Sequence, residues 1–330
     1  MDKVTVAIGH RYDSRYLRNR AVPVAGFDAE FPVIPGKEDG HERFAAPGEP
    51  YMAPGPIFGR MAKDPPYDMG EQAFSTYLQA VDLGQEVTAL PVFPSRFFPH
   101  LQICVGVHSN IRTPKDLEGK RFALSCYSVN FGIWLRGILR DQYGVDPAKI
   151  IWVTQRDEYY DFKPDARYTL VRAAKGKSMW KQLQAGEVDA LVSPWADAQA
   201  AERGVRSLLP DPYADIAAYY KSSRVFPLNT IVMLPKRTLR DHPGLAEAVL
   251  RAYHGALELY EKDVRGGKLE DEYGGVELRA LERAAGVFLP PYGLTDDNRR
   301  CIEAMLRYCR DEGIVTRALK PEDLFLPGSF

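Results

Sequence analysis

PVFPSRFFPHLQI, residues 91–103, crowds a β-forming run, three prolines, an arginine and a histidine into one connection. Prolines at 91, 94 and 99 fix φ and push the residues before them toward extended geometry, so Ser95, Arg96 and His100 sit on a stiff loop. The apolar run 101–107 that follows reads as a buried strand, which places the loop at the rim of a cleft. A stiff loop there can aim its side chains. A surface arginine and a packing histidine remain the plainer alternative, since most single Arg and His residues are structural.

Upstream, the alternating run 4–8 enters a polar set, His10, Arg11, Tyr12, Asp13, Ser14 and Arg15. A strand leading into a polar loop and then a helix is the usual way an α/β protein offers side chains to a ligand. Asp13 is a candidate site carboxylate, or equally the cap of a helix over 14–18. Residues 35–56, rich in Gly and Pro, predict a long irregular loop. Helical spacing of Phe74, Tyr77, Leu78 and Val81 predicts a helix over 71–83 that begins with Glu71, Ser75 and Thr76. Exposed N–H groups at that start suit a carboxylate; plain capping by Ser75 and Thr76 is the alternative.

Downstream, Thr113-Pro114 opens a short helix, and 121–126 and 150–154 read as strands around a helix over 129–143 that stops at Gly144. A helix over 178–185 and a strand over 188–193 repeat the pattern. Successive β-α-β units predict open parallel sheets with binding at the carboxyl ends of strands, here 125–128, 154–158 and 193–195. A β-rich run at 226–234 precedes a mostly helical last third.

Composition narrows the class. At 330 residues the chain exceeds the size of one ordinary core, so one large α/β unit or two lobes are expected. Its 43 basic and 44 acidic residues balance to a net charge of −1 with no basic run, which argues against nucleic-acid or membrane-surface partners. Four cysteines without CxxC spacing read as buried thiols. No HExxH, His-x-His, Gly-rich phosphate loop or GxSxG motif occurs, so no metal or cofactor is expected. The start MDKVTVAIGHRYD enters a strand directly, and the expectation is a cytoplasmic protein. Loops carrying Arg, His, Ser, Tyr and a few acids suit a small anionic, aromatic ligand.

The stretches PVFPSRFFPH (91–100), IRTPKDLEGKRFAL (111–124), WLRGILRDQYGVDPAKIIWVT (134–154), LQAGEVDALVSP (183–194), FPLNTIVML (226–234) and NRRCIEAMLRYCRDEGI (298–314) resemble the 4,5-dihydroxyphthalate decarboxylase family. That family belongs to the type II periplasmic-binding-protein-like superfamily, with solute-binding relatives. The resemblance implies two α/β lobes, each an open, mostly parallel sheet flanked by helices, joined by crossover strands near 103–107 and 226–232. The lobes would be 1–108 with 225–330, and 109–224, with the ligand between them. It also implies a carboxy-lyase of aromatic (phthalate) catabolism, removing CO2 from a hydroxylated aromatic dicarboxylate. Two departures stand out: family members usually carry His in a Pro-x-x-His pattern where this chain has Pro227-Leu228-Asn229-Thr230, and an acid after Pro where it has Ser125-Cys126.

Such a reaction needs a cation for the carboxylate that stays, a proton donor, and an acceptor for a ring hydroxyl. The candidates are Arg96, helped by Ser95, Ser75 and Thr76, as clamp, and His100, whose ordinary pKa is about 6.5, as acid. Asp13 or Glu71 would orient His100 or accept from the hydroxyl. Tyr127 and Trp134 would stack on the ring or else pack in the core, and Asn229 and Thr230 would line the cleft. A solute-binding protein for a small anionic or aromatic ligand is the alternative, and a homo-oligomer is left open.

Overall fold

The structure is a computed structural model that describes residues 1–11, 13–32, 34, 54–174, 176–192, 204–269, 272–273 and 276–328. Tyr12, the strand end 193–195 and residues 35–53 of the expected long loop lie outside the described residues. The strands are β1 (Asp2–Ala7), β2 (Phe27–Glu30), β3 (Met69–Ala73), β4 (Val87–Leu90), β5 (Ile103–Gly106), β6 (Arg121–Leu124), β7 (Ile151–Thr154), β8 (Thr169–Arg172), β9 (Ala190–Val192), β10 (Val205–Ser207) and β11 (Thr230–Pro235), with a small hairpin of β12 (Glu272–Tyr273) and β13 (Val276–Glu277). The helices are α1 (Ser14–Arg18), α2 (Pro54–Ala62), α3 (Phe74–Asp82), α4 (Asn130–Tyr143), α5 (Met179–Gln184), α6 (Pro212–Ser223), α7 (Lys236–Asp241), α8 (Leu245–Arg265), α9 (Leu278–Ala285) and α10 (Asp296–Asp311).

Two sheets organise these elements: β2-β1-β3-β11-β4, and β10-β5-β9-β6-β7-β8. Both are mixed; the second is mostly parallel, and the first is half parallel and half antiparallel. In the first, β1 runs parallel to β2 and β3 while β11 is antiparallel to β3 and β4; in the second, β9, β6, β7 and β8 are parallel and β5 is antiparallel to both its neighbours. The antiparallel members β5 and β11 are the strands through which the chain passes between the sheets. One difference is local: Glu71, expected at a helix start, belongs to strand β3, and the helix begins only at Phe74. Burial on both faces of β3 hides the period-2 signal there.

One apolar cluster runs through both sheets and their helices. A smaller one, Cys104, Ala123, Val153, Val188 and Leu191, lies on the other face of the second sheet, covered by Met179, Trp180 and Leu183. All four cysteines are free and buried.

The two connections between the sheets lie side by side. Arg96 and Leu228 form an antiparallel bridge, and the Ser95 carbonyl accepts from the Asn229 N–H at 2.9 Å and the Thr230 N–H at 3.3 Å. Helix α4 then ties the second sheet to α10. Arg136 donates to Glu312 at 2.6 and 2.9 Å inside the core and lies 3.9 Å over the Tyr127 ring. Burial works against the guanidinium, but Glu312 and the Tyr127 ring outweigh it and hold its pKa above the ordinary value. Breaking such a pair costs about 3–5 kcal/mol, because it strands the other charge. Gly137 lets the helices meet: a Cβ there would stand 2.2 Å from the Tyr308 ring. Past α10, Gly313 has φ +74°, and a Cβ there would reach the Lys163 carbonyl at 2.7 Å.

Candidate functional site

Because β1 and β3 are parallel, the loop leaving β1 and the end of β3 lie side by side at the edge of the first sheet. Glu71 is enclosed there, accepting from the Gly9 N–H at 3.1 Å and from Arg11 Nε and Nη2 at 3.1 and 2.8 Å. The Arg11 side chain keeps 16% of its surface exposed against 0% for Glu71. Glu71 therefore holds the Arg11 guanidinium through both Nε and Nη2.

Asp13 is also fully buried. One oxygen accepts from the Ser14 N–H at 2.8 Å, capping α1, and the other accepts from the Tyr292 hydroxyl. Burial pushes its pKa up to about 6 against the pull of these bonds, and Glu71 adds to the rise. The cap and the buried acid, posed as alternatives by the sequence, are both true of Asp13. Ser14 Oγ accepts from the Arg11 N–H and donates to the Gly9 carbonyl, both at 2.9 Å, which fixes the loop.

Opposite this loop the first turns of α3 and α4 meet. The Ser75 N–H donates to Asn130 Oδ1 at 2.9 Å and Ser75 Oγ to the Ser128 carbonyl at 2.8 Å. The Phe74 N–H donates to the Asn229 carbonyl, and Asn130 Nδ2 to Asn229 Oδ1, both at 3.0 Å. Ser75, Thr76, Asn229 and Thr230 are thus buried at the seam between the lobes. Ser75 and Asn229 are spent on joining them. Thr230 Oγ1 is buried with no hydrogen-bond partner among the described residues. Beyond β7, the half-buried Glu158 accepts from the Tyr127 N–H at 2.7 Å, from the Ser128 N–H at 3.3 Å and from Ser128 Oγ at 2.5 Å.

The stretch 91–103 has another role than the one expected of it. Arg96 is 1% exposed; its guanidinium donates to Asn298 Oδ1 and the Pro291 carbonyl, both at 3.0 Å, and lies 5.1 Å from the Phe93 ring centre. It pins the segment before α10 to the crossover and does not face a cleft. His100 is enclosed among Phe98, Tyr143 and Tyr219, with Nε2 2.7 Å from Gln142 Oε1. Burial lowers its pKa to about 4, so it is neutral at working pH and far from solvent, which removes it as the acid. Asp13 and Glu71 do not touch it. Ser95 serves through its carbonyl. Tyr127 stacks on Phe162 at 6.2 Å under Arg136, and Trp134 donates to the Leu228 carbonyl at 2.8 Å with its edge against Tyr308; both rings are core.

Sequence reasoning therefore missed Arg11 as the partner of Glu71, Glu158 as the acceptor that holds the start of α4 and Tyr292 as the partner of Asp13. Arg11 and Glu158 were legible as residues at carboxyl ends of strands. Tyr292 was not, since it arrives from 279 residues away. Two other concavities lie elsewhere: one of about 1000 Å³ between 106–120 and 183–189, and one of about 500 Å³ among α4, α6 and α10. Neither touches Arg11 or Glu158.

No family model matches the sequence. Over 324 residues, 94% of this chain and 96% of the other, it is 29% identical to a 4,5-dihydroxyphthalate decarboxylase of Comamonas testosteroni. The chain is homologous to 4,5-dihydroxyphthalate decarboxylase. Among solved structures, the chain superposes on the alkanesulfonate-binding protein SsuA from Xanthomonas axonopodis pv. citri bound to MOPS (TM-score 0.57, 15% identity, 99% and 98% of the two chains covered). It also superposes on the desulfurization enzyme DSZB (TM-score 0.54, 15% identity, 100% and 97% covered). At such identities these establish the fold, the two-lobed periplasmic-binding-protein architecture with a cleft between lobes.

Proposed function

We propose that the chain is a decarboxylase of a hydroxylated aromatic carboxylate such as 4,5-dihydroxyphthalate, working in the cleft between the Arg11 loop and the first turn of α4. The nearly full-length similarity to a protein of that name carries this reading. The site chemistry supports it. Arg11, fixed by Glu71 at the carboxyl ends of β1 and β3, places a cation where an anionic ligand would be attracted. The other carboxylate leaves as CO2, its bonding pair passes to the ring carbon, and that carbon takes up one proton. With His100 enclosed in the core, that proton comes from another donor or from water.

The solute-binding reading draws on the likeness to sulfonate-binding proteins. The α4–α10 contact weighs against it, since lobes that rotate about a hinge would have to part Arg136 from Glu312 and Gly137 from Tyr308. The test is CO2 release from a panel of hydroxylated aromatic mono- and dicarboxylates, with binding followed in parallel. Binding of these acids without CO2 release from any of them would sink the lyase and favour the receptor.

A further inference from the structure

Independently of which acid the cleft takes, we propose that the protein works at one fixed interlobe angle, held by a strap of the second lobe, residues 155–168, laid across the first. A chain that passes twice between two sheets can rotate about the paired crossovers, and contacts close to that axis survive the rotation. The Arg96–Leu228 bridge is of that kind. Contacts far from the axis do not survive, and the strap makes three.

First, the ring and hydroxyl of Tyr159 stand 3.8 Å from the position a Cβ would take on Gly59 in α2. Next, the buried Tyr160 donates its hydroxyl to Gln85 Oε1 at 3.2 Å. Gln85 precedes β4 at the end opposite the crossover, on the order of 13 Å from it by four residues of strand rise. A rotation of about 10° would carry a point at that radius about 2 Å, enough to part the bond. Third, the Asp165 N–H donates to the Glu312 carbonyl at 3.1 Å, where Gly313 admits the Lys163 carbonyl beside it. Phe162, stacked on Tyr127, keeps the strap rooted in its own lobe.

Helix α4 completes the fastening. The crossovers hold it through Asn130, Trp134 and Gln142. On a neighbouring face α10 holds it: Asp141 accepts from Arg307 and Tyr308, both at 2.6 Å, beside the Arg136–Glu312 pair. Tyr308 is 2% exposed and packed on Trp134, so it has nowhere to turn aside. A helix gripped on two faces by different parts of the first lobe blocks rotation about either. Ligand then enters by local movement at the cleft mouth, and binding leaves the lobes where they were.

Pulsed electron–electron resonance tests this with nitroxides on Lys181→Cys in α5 and Arg251→Cys in α8, both exposed, the four native cysteines being buried. Protein without ligand should give one narrow distance, and saturation with phthalate or 4,5-dihydroxyphthalate, followed by calorimetry, should leave it unshifted. Two populations without ligand, or a peak that shortens with either acid, would overturn the proposal. Gly137→Ala supplies a wedge, since its Cβ would stand 2.2 Å from the Tyr308 ring, and the peak should broaden or move. Tyr160→Phe combined with Glu312→Gln loosens the same contacts and is read where circular dichroism shows the wedge variant unfolded. An unchanged peak in a folded variant would mean that the crossovers alone set the angle, and would refute the strap. If neither acid binds, the proposed substrate class fails, while the ligand-free distances still judge the strap.

Discussion

Two loops leave the same edge of the first sheet, each carrying one arginine and one histidine, and they do opposite things. The loop after β1 keeps Arg11 partly exposed, backed by buried Glu71, with Asp13 buried two residues on. The loop after β4 buries Arg96 and His100 completely. Both follow strands that run in the same direction, since β4 and β3 are each antiparallel to β11 and β3 is parallel to β1. The difference is what covers them. The β4 loop is the crossover to the second lobe and is roofed by α4, α6 and the segment before α10, so its cation and imidazole become joints. The β1 loop instead sets Arg11 against the buried Glu71 with 16% of its side chain exposed. Proline stiffness marks a backbone that must not move, which a hinge requires as much as a binding rim does.

Substitutions at the two arginines test this contrast most strongly. Arg96→Leu should cost about 3–5 kcal/mol of stability through two lost charge-assisted hydrogen bonds, read from the urea midpoint. Arg11→Ala should instead weaken binding of an aromatic carboxylate by about 2–5 kcal/mol, and Arg11→Lys should recover only part of it. A stable Arg96→Leu that has lost its ligand would move the clamp back to the β4 loop.

Acid titration separates the loops next. Folded His100 stays neutral down to about pH 4, while an unfolded imidazole titrates near 6.5. Between those values the unfolded chain binds the extra proton, so stability falls as pH drops from 6.5 toward 4, by on the order of 3 kcal/mol. In His100→Leu that dependence should flatten. Asp13 acts with the opposite sign and somewhat smaller size: the folded carboxyl keeps its proton up to about pH 6 and the unfolded one loses it near 3.8. Its share of stability, on the order of 2–3 kcal/mol, is therefore lost as pH rises from 3.8 to 6, and Asp13→Asn should remove that loss. Urea midpoints across pH 4–7 for both variants are the check. If the two profiles match the parent's, neither group titrates with folding. The smallest effect belongs to the seam: Ser75→Ala gives up one inter-lobe hydrogen bond and should cost about 1 kcal/mol, with no change in CO2 release per folded molecule.

The sequence by itself determined what depends on neighbours along the chain. Thr113 with Pro114 and Gly144 after α4 set helix ends through local hydrogen bonds and backbone freedom, and the structure has them where those signals put them. The family resemblance carried the order of the lobes' elements as well. Tertiary structure decided which polar side chains meet solvent. Glu71 reads as a helix start until β11 and β1 enclose it as a strand, and Asp13 becomes a raised acid only when Tyr292 and Glu71 close over it. Arg96 and Arg11 are the same residue type in similar loops, and only the helices packed over one of them make it a joint. Burial is a property of what arrives from elsewhere in the chain, and no local pattern encodes it.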